Sequence, residues 1–332
     1  MIAPPARLEL ALTPTPLLKL GRLSRRLGVE LYVKRDDLTG LVESGNKVRK
    51  LEFLVGDALG QGADTLVTCG AAQSNGSRAV AAVAARLGLR AIIVVRGERP
   101  AAYDGNLLLA RLLGAELRYC PEGGPADEGP LTEALAAEIR ARGGRPYVIP
   151  EGGAGELGAL GYVECAVELA EQIHHGAPRF DTVVVSDGTG SSHAGLLMGK
   201  QLTGLPAEIV GVPVTAPADR VRERIAATIG AAIRRFGLAI EVPRTIALLD
   251  GAGAGSPEAA GADLALLVRL AREEGLLLDP LYTARGFRGL LETLARDPKA
   301  LGPRVCFIHT GGLFGLFPVK DRLTPLLDGE VQ

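Results

Sequence analysis

Strand-like and helix-like segments alternate along nearly the whole of this chain, and that alternation limits the fold more than any other feature. Short β-branched runs are expected as strands at Leu31–Lys34, Thr65–Cys69, Ala91–Arg96, Glu116–Tyr119, Tyr147–Pro150, Thr182–Ser186, Ile209–Pro213 and Val305–His309. Helical apolar spacing falls between them, at Lys47–Leu59, Asn75–Leu87, Gly105–Leu113, Pro130–Arg142, Leu157–His175, Ala194–Leu202, Asp219–Phe236, Asp263–Glu274 and Ala284–Leu294. A crossover helix between two strands pairs them in parallel, and parallel sheets are covered on both faces. The expected fold class is therefore α/β with parallel sheets. At 332 residues the chain exceeds one average core, so two domains, or one large unit with an insertion, are expected.

Composition removes several classes of function. There are 37 basic and 38 acidic residues, a net charge of −1, and no long block of one sign. Nucleic-acid or membrane binding through bulk charge is therefore not expected. Aromatics make up 4% and Trp is absent, which disfavours base stacking as the main task. Cys69, Cys120, Cys165 and Cys306 are widely spaced with no CxxC, and they read as thiols in a reducing compartment. No apolar run is long enough to span a bilayer, and no signal segment is evident, so a cytoplasmic location is expected.

In a parallel sheet the loops leaving the carboxyl ends of strands form the ligand crevice. Four strand ends carry polar or glycine-rich loops, at 69–75, 151–153, 186–192 and 309–312. They are expected to converge on one site. Pro121–Pro125 and Gly251–Pro257 read as further loops.

Ser44-Gly45-Asn46-Lys47-Val48-Arg49-Lys50-Leu51-Glu52 delivers a lysine onto the first turn of an apolar helix. The positive end of the helix dipole and the nearby Arg49 and Lys50 both disfavour its protonation. A neutral amine is what attack on an aldehyde requires. A solvated basic helix start would present the same residues. Later, Val183-Val184-Val185-Ser186 runs into Asp187-Gly188-Thr189-Gly190-Ser191-Ser192 and a small-residue helix. Glycine allows close backbone approach, the hydroxyls donate, and the helix start supplies free N–H groups, which together suit a phosphate. A plain tight turn is the alternative. A dinucleotide fingerprint fails because His193 stands where the third glycine belongs and the next strand ends in Thr215 rather than an acid. No Gly-Lys-Ser/Thr follows a glycine-rich loop. A poised lysine with a phosphate cradle is the pairing that pyridoxal 5′-phosphate needs.

A family resemblance follows from ordered blocks along nearly the whole chain. They include Thr15-Pro16-Leu17, Lys34-Arg35-Asp36-Asp37-Leu38-Thr39-Gly40, Gly45-Asn46-Lys47, Gln73-Ser74-Asn75, Pro150-Glu151-Gly152-Gly153 and Leu157-Gly158-Ala159-Leu160-Gly161-Tyr162. Thr189-Gly190-Ser191, Leu278-Asp279-Pro280-Leu281-Tyr282-Thr283 and His309-Thr310-Gly311-Gly312-Leu313 complete the set. The chain resembles the D-cysteine desulfhydrase / 1-aminocyclopropane-1-carboxylate deaminase family, pyridoxal-phosphate enzymes of fold type II, the tryptophan-synthase-β class.

The resemblance implies two α/β domains with the cofactor in the cleft between them. The large domain would hold 1–51 and 161–332, and a small inserted domain 52–160. It implies Lys47 as the Schiff-base lysine and α-proton base. Lys50 and Asn75 would reach the phosphate from one side, and Gly188, Thr189, Gly190, Ser191 and Ser192 would form the main phosphate loop. Ser74 would lie near the substrate carboxylate, Tyr282 near the reacting carbons, and either Thr283 or Thr310 near the pyridine nitrogen. A homodimer acting on a small amino acid by α,β-elimination is implied.

Several of these residues have plainer readings. Ser74 could serve as a helix cap and Tyr282 as a packed tyrosine, whereas His193 is read as a helix-start residue and His309 as a structural strand end. Asp36-Asp37 reads as a turn positioning the lysine loop rather than as an acid/base dyad.

The chain departs from the family pattern on the substrate side. It has Gly76-Ser77 where the family carries His-Ala or Gln-Thr, Ala154-Gly155 where Ser-Asn is usual, and Gly253-Ala254-Gly255 in place of Gly-Tyr-Gly. Thr283 matches the desulfhydrases, whereas the deaminases carry glutamate there. A roomier pocket and a non-standard amino acid are expected, because lost polar partners weaken recognition of a small polar substrate. Ring-opening deamination of 1-aminocyclopropane-1-carboxylate, β-replacement, and a non-catalytic cofactor- or amino-acid-binding module are the alternatives.

Overall fold

The computed structural model describes residues 5–43, 45–121, 128–249 and 257–329. Ser44, the Gly123-Gly124 loop and the Gly253-Ala254-Gly255 departure lie outside the described residues.

Two sheets carry the fold. The larger contains β1 (Leu17–Lys19), β2 (Glu30–Lys34), β7 (Thr182–Asp187), β8 (Glu208–Pro213), β9 (Ala247–Leu248) and β10 (Arg304–Ile308), in the order β1-β2-β10-β7-β8-β9. The smaller contains β3 (Thr65–Ala71), β4 (Arg90–Arg96), β5 (Glu116–Cys120) and β6 (Pro146–Val148), in the order β5-β4-β3-β6. Every pairing between these strands is parallel except β1 with β2, and one isolated antiparallel bridge joins Gly97 to Cys120. The expected α/β class with parallel sheets is what the chain adopts. β1 and β9 escape the sequence reading because three and two residues give no periodicity.

Helices α2 (Asn46–Gly60), α3 (Asn75–Leu87), α4 (Gly105–Leu112) and α5 (Glu128–Ala141) accompany the smaller sheet in sequence. Helices α6 (Glu156–His174), α7 (Ser191–Thr203), α8 (Ala218–Phe236), α9 (Pro257–Glu274) and α10 (Thr283–Arg296) follow. The short α1 (Gly21–Leu27) and α11 (Lys320–Asp328) complete the set. The nine expected helices are present with ends shifted by a few residues, chiefly at the start of α9. α1 and α11 were not anticipated, since one is rich in charge and the other contains Pro325. No described helix is long and apolar enough to cross a membrane, and all four cysteines are free thiols.

The layers meet through small residues. A Cβ on Gly161 of α6 would lie 2.4 Å from the Arg49 carbonyl of α2, and one on Gly195 of α7 would lie 2.2 Å from the Ala159 carbonyl. Helix axes this close explain why α6 and α7 are built on Ala and Gly. One consequence is that α2 is buried along most of its length, including Val48, Leu51, Leu54, Val55 and Ala58.

Burial on this scale encloses charge as well. Arg49 donates to Asp36 at 2.8 and 3.0 Å and to Glu168 at 2.8 Å, and Lys34 also pairs with Glu168. Tyr162 donates its hydroxyl to Asp36 at 2.8 Å. Burial would raise the Asp36 pKa, but Arg49 and Lys34 outweigh it and hold the carboxyl below its ordinary value. Asp36 sits in a short 3-10 turn (Asp36–Leu38) ahead of the lysine loop, while Asp37 turns to Arg35 at 2.7 Å. The pair positions the loop, and Asp36 does so as a buried ion.

Candidate active site

Helix α2 starts at Gly45, whose φ of 96° favours glycine and whose Cβ, if present, would lie 2.1 Å from the Thr310 carbonyl. Asn46 N–H donates to that carbonyl at 3.1 Å. The lysine helix is thereby seated on the loop leaving β10. Lys47 projects into a cavity of about 370 Å³ at the carboxyl ends of the strands. Its Nζ reaches the Gly152 carbonyl at 3.3 Å. A Cβ on Gly152 would approach Nζ to 3.2 Å, so the wall beside the amine is bare backbone.

Burial lowers the Lys47 pKa to about 8, with Glu151 and Asp279 acting in the opposite direction and Arg78 reinforcing the fall. The cause differs from the one expected from sequence. Arg49 points away into its ion pairs, and Lys50 is itself depressed well below its usual range, by burial first and then by Lys47. Arg49 and Lys50 are 2% and 1% exposed, which rules out a solvated basic helix start.

The β7–α7 loop forms the opposite wall. Gly190 takes φ 83° and begins α7 with no side-chain cap. Lys50 Nζ donates to Ser191 Oγ at 2.7 Å, Asn46 Nδ2 to Ser192 Oγ at 3.3 Å, and the Thr189 and Ser191 hydroxyls share a hydrogen bond at 3.1 Å. Beneath them the buried Asp187 and His193 pair at 2.8 Å. Asp187 Oδ1, His193 Nε2 and the Ser186 hydroxyl have no hydrogen-bond partner among the described residues. His193 is thus a buried partner of Asp187 within the first turn of α7. His309 uses both ring nitrogens on backbone, at 2.8 Å to Leu277 O and 3.2 Å from Gly311 N–H, as expected of a structural residue.

Ser74 caps α3 by accepting from Ser77 N–H at 3.1 Å. The cap uses an oxygen lone pair and leaves the hydroxyl proton available, and Ser74 also lines the cavity. Asn75 Oδ1 accepts from Arg78 at 2.8 Å and from Asn106 at 3.1 Å, which orients the amide. Tyr282 packs its ring over Gly188, where an added Cβ would lie 3.5 Å from Cε1. Burial, with Asp279 and Glu151, pushes its phenol up to about 12.

The profile described as "Pyridoxal-phosphate dependent enzyme" matches residues 8–311. The chain belongs to the pyridoxal-phosphate dependent enzymes. A D-cysteine desulfhydrase of Yersinia pestis is 44% identical over 325 residues, covering 96% of this chain and 97% of that protein. A Pyrococcus abyssi protein provisionally named 1-aminocyclopropane-1-carboxylate deaminase is 40% identical over 324 residues, covering 97% and 96%. A crystal structure described as an ACC deaminase homologue superposes with a TM-score of 0.89 at 36% identity, covering 98% and 97%. The family implied by the sequence motifs, with its fold type II and its cofactor, is the one to which this enzyme is related.

The residues fit that cofactor. An uncapped helix start with two serines and a threonine suits a phosphate monoester. A buried amine with a depressed pKa suits an aldehyde. Lys47, Lys50, Ser74, Asn75, Gly188, Thr189, Gly190, Ser192, Tyr282 and Thr310 all line the one cavity, and Ser191 adjoins it through Lys50.

Thr283 lies apart. Its hydroxyl donates to Asp279 Oδ1 at 2.7 Å and accepts from Asp279 N–H at 2.7 Å, and it does not line the cavity. Of the two threonines left open for the ring nitrogen, Thr310 is the one on the wall.

Sequence reasoning assigned no role to Asp279, Asp187, Arg96, Thr215 or Arg224, all of which line or border the cavity. Asp279 accepts from the N–H groups of Leu281, Tyr282 and Thr283 and so fixes the start of α10. Its position before proline in Leu278-Asp279-Pro280 was the available signal. Gly76, one of the departures, does not face open space, since an added Cβ would lie 3.2 Å from Gly152 Cα. A larger cleft of about 880 Å³ between α5 and strands β4 and β5 holds none of the candidate residues.

Proposed function

We propose that this enzyme catalyses α,β-elimination of a β-substituted amino acid, releasing a 2-oxo acid and ammonia. The observation that carries this reading is that Lys47 and Tyr282 share one cavity with opposite protonation preferences. Pyridoxal phosphate, when bound, supplies the sink for the electrons left at Cα. Lys47, whose burial favours the neutral amine, takes the α-proton at Nζ. Tyr282, whose phenol keeps its proton at working pH, holds that proton toward the departing β-substituent. The free Ser74 hydroxyl proton and the oriented Asn75 amide bind the substrate carboxylate and the phosphate, respectively. The Gly188–Ser192 loop and Lys50 would hold the phosphate. Thr310 would offer a neutral hydroxyl to the ring nitrogen, and Thr283, where the deaminases carry glutamate, supports elimination over ring opening through its likeness to the desulfhydrases.

D-Cysteine, the substrate named for the Yersinia relative, is the reference compound. The departures at 76–77 and 154–155 remove polar side chains that the family carries, which weakens recognition of a small polar substrate such as this one. The same reading carries the division into 52–160 and the remainder and a homodimer, as the family resemblance implies, together with the cytoplasmic location expected from the sequence.

The test supplies the holoenzyme with D- and L-cysteine, a panel of β-substituted alanines and 1-aminocyclopropane-1-carboxylate, and measures 2-oxo acid and ammonia. Oxo acid from the β-substituted compounds, with D-cysteine among the slower, supports the proposal. Prompt turnover of D-cysteine equal to the others removes the altered-pocket part. Ammonia from the cyclopropane compound alone replaces elimination by ring opening.

A further inference from the structure

The phosphate cradle has little fixed positive charge of its own. Its donors are hydroxyls and backbone N–H groups, and Lys50, the cation that touches it, is driven toward its neutral form by burial. The residue that opens the loop, Asp187, is a buried acid.

Helix α8 packs against the loop. An added Cβ on Gly190 would lie 2.8 Å from Ile225 Cγ1. Thr215, in the segment leading to α8, donates from Oγ1 to the Gly188 carbonyl at 3.1 Å. The residue before Ile225 is Arg224, which is exposed and lines the same cavity as Lys47, Thr189 and Gly190. Its neighbours on the helix are spent on acids, Arg220 on Glu223 at 3.0 Å and Arg222 on Asp219 at 2.8 Å. The Arg224 guanidinium has no such partner among the described residues.

We propose that Arg224 is the outer clamp of the cradle, a guanidinium that closes on the cofactor phosphate from the α8 side. An arginine stays charged at any working pH, and its forked donors match phosphate oxygens. Because the group remains solvated, its charge carries no burial penalty before the cofactor arrives. An anionic group at the far end of a substrate would present the same chemistry. The contact of Ile225 with Gly190 favours the phosphate.

The test is binding rather than turnover, so it is independent of the reaction proposed above. Full-length parent, R224Q and R224K, stripped of cofactor, would be titrated by equilibrium dialysis with pyridoxal 5′-phosphate and with pyridoxal, which keeps the aldehyde but lacks the phosphate. R224Q should bind pyridoxal phosphate about three- to tenfold more weakly, the range of an exposed charge-assisted contact. Its affinity for pyridoxal should equal that of the parent, R224K should fall between, and added salt should narrow the gap. Unchanged affinity for pyridoxal phosphate in R224Q, or an equal loss for pyridoxal, overturns the proposal.

Discussion

Arg49 and Lys50 are consecutive residues of one buried helix, and they meet opposite fates. Arg49 faces Asp36 and Glu168, and its pKa is held well above the ordinary value although burial alone would lower it. Lys50 and Lys47 face a cavity and the β7–α7 loop, and burial lowers both. Desolvation penalises each cation alike, and a buried counter-ion decides whether the charge survives. A single helix thus supplies a permanent ion that anchors it and an amine free to lose its proton.

The comparison breaks most completely at Lys47. Lys47→Ala should cut release of 2-oxo acid by about 10⁴-fold or more, while the thermal midpoint of the cofactor-free protein does not fall. A parallel loss of fold would show that the amine is structural. Arg49→Met removes the paired cation and leaves Asp36 and Glu168 with less compensation. Destabilisation of about 3–5 kcal/mol is expected in urea unfolding, and a neutral result would mean that Lys34 alone satisfies both acids.

Smaller changes sharpen the contrast. Lys50→Gln should weaken pyridoxal phosphate binding about tenfold by removing a buried donor to the β7–α7 loop and its ligand, measured by dialysis, with little change in fold stability. The pH dependence of cofactor uptake tests Lys47 directly. Its ammonium predominates below pH about 8 and its amine above, so the rate of uptake should rise through that pH and then level. Glu151 acts to raise the Lys47 pKa, and its side chain is 47% exposed. Glu151→Gln should therefore move the midpoint down by only about a few tenths of a pH unit. A shift upward would contradict the electrostatic account.

The parallel sheets were legible because alternation of strand and helix is written locally, residue by residue. The converging loops were legible for the same reason, since each follows a strand. What could not be read is which way a side chain faces once the helix is packed. Arg49 stands two positions from Lys47, which on a helix turns it to another face, and its partners come from positions 36 and 168. The depressed amine was therefore anticipated correctly with the wrong cause. Thr283 likewise looked available from its motif, but its hydroxyl is spent on Asp279 four residues earlier. Arg224 gave no sign at all, being one of several arginines on an amphipathic surface helix.

The contact between Gly45 and the Thr310 carbonyl has a bearing on biosynthesis. Residue 310 follows β10, which lies between β2 and β7 in the middle of the larger sheet. The seat for the lysine helix therefore does not exist until synthesis has passed residue 310. A nascent chain holds Lys47 long before it has anywhere to dock the helix that carries it, so a formed cavity around that lysine waits for β10 and the loop that follows it.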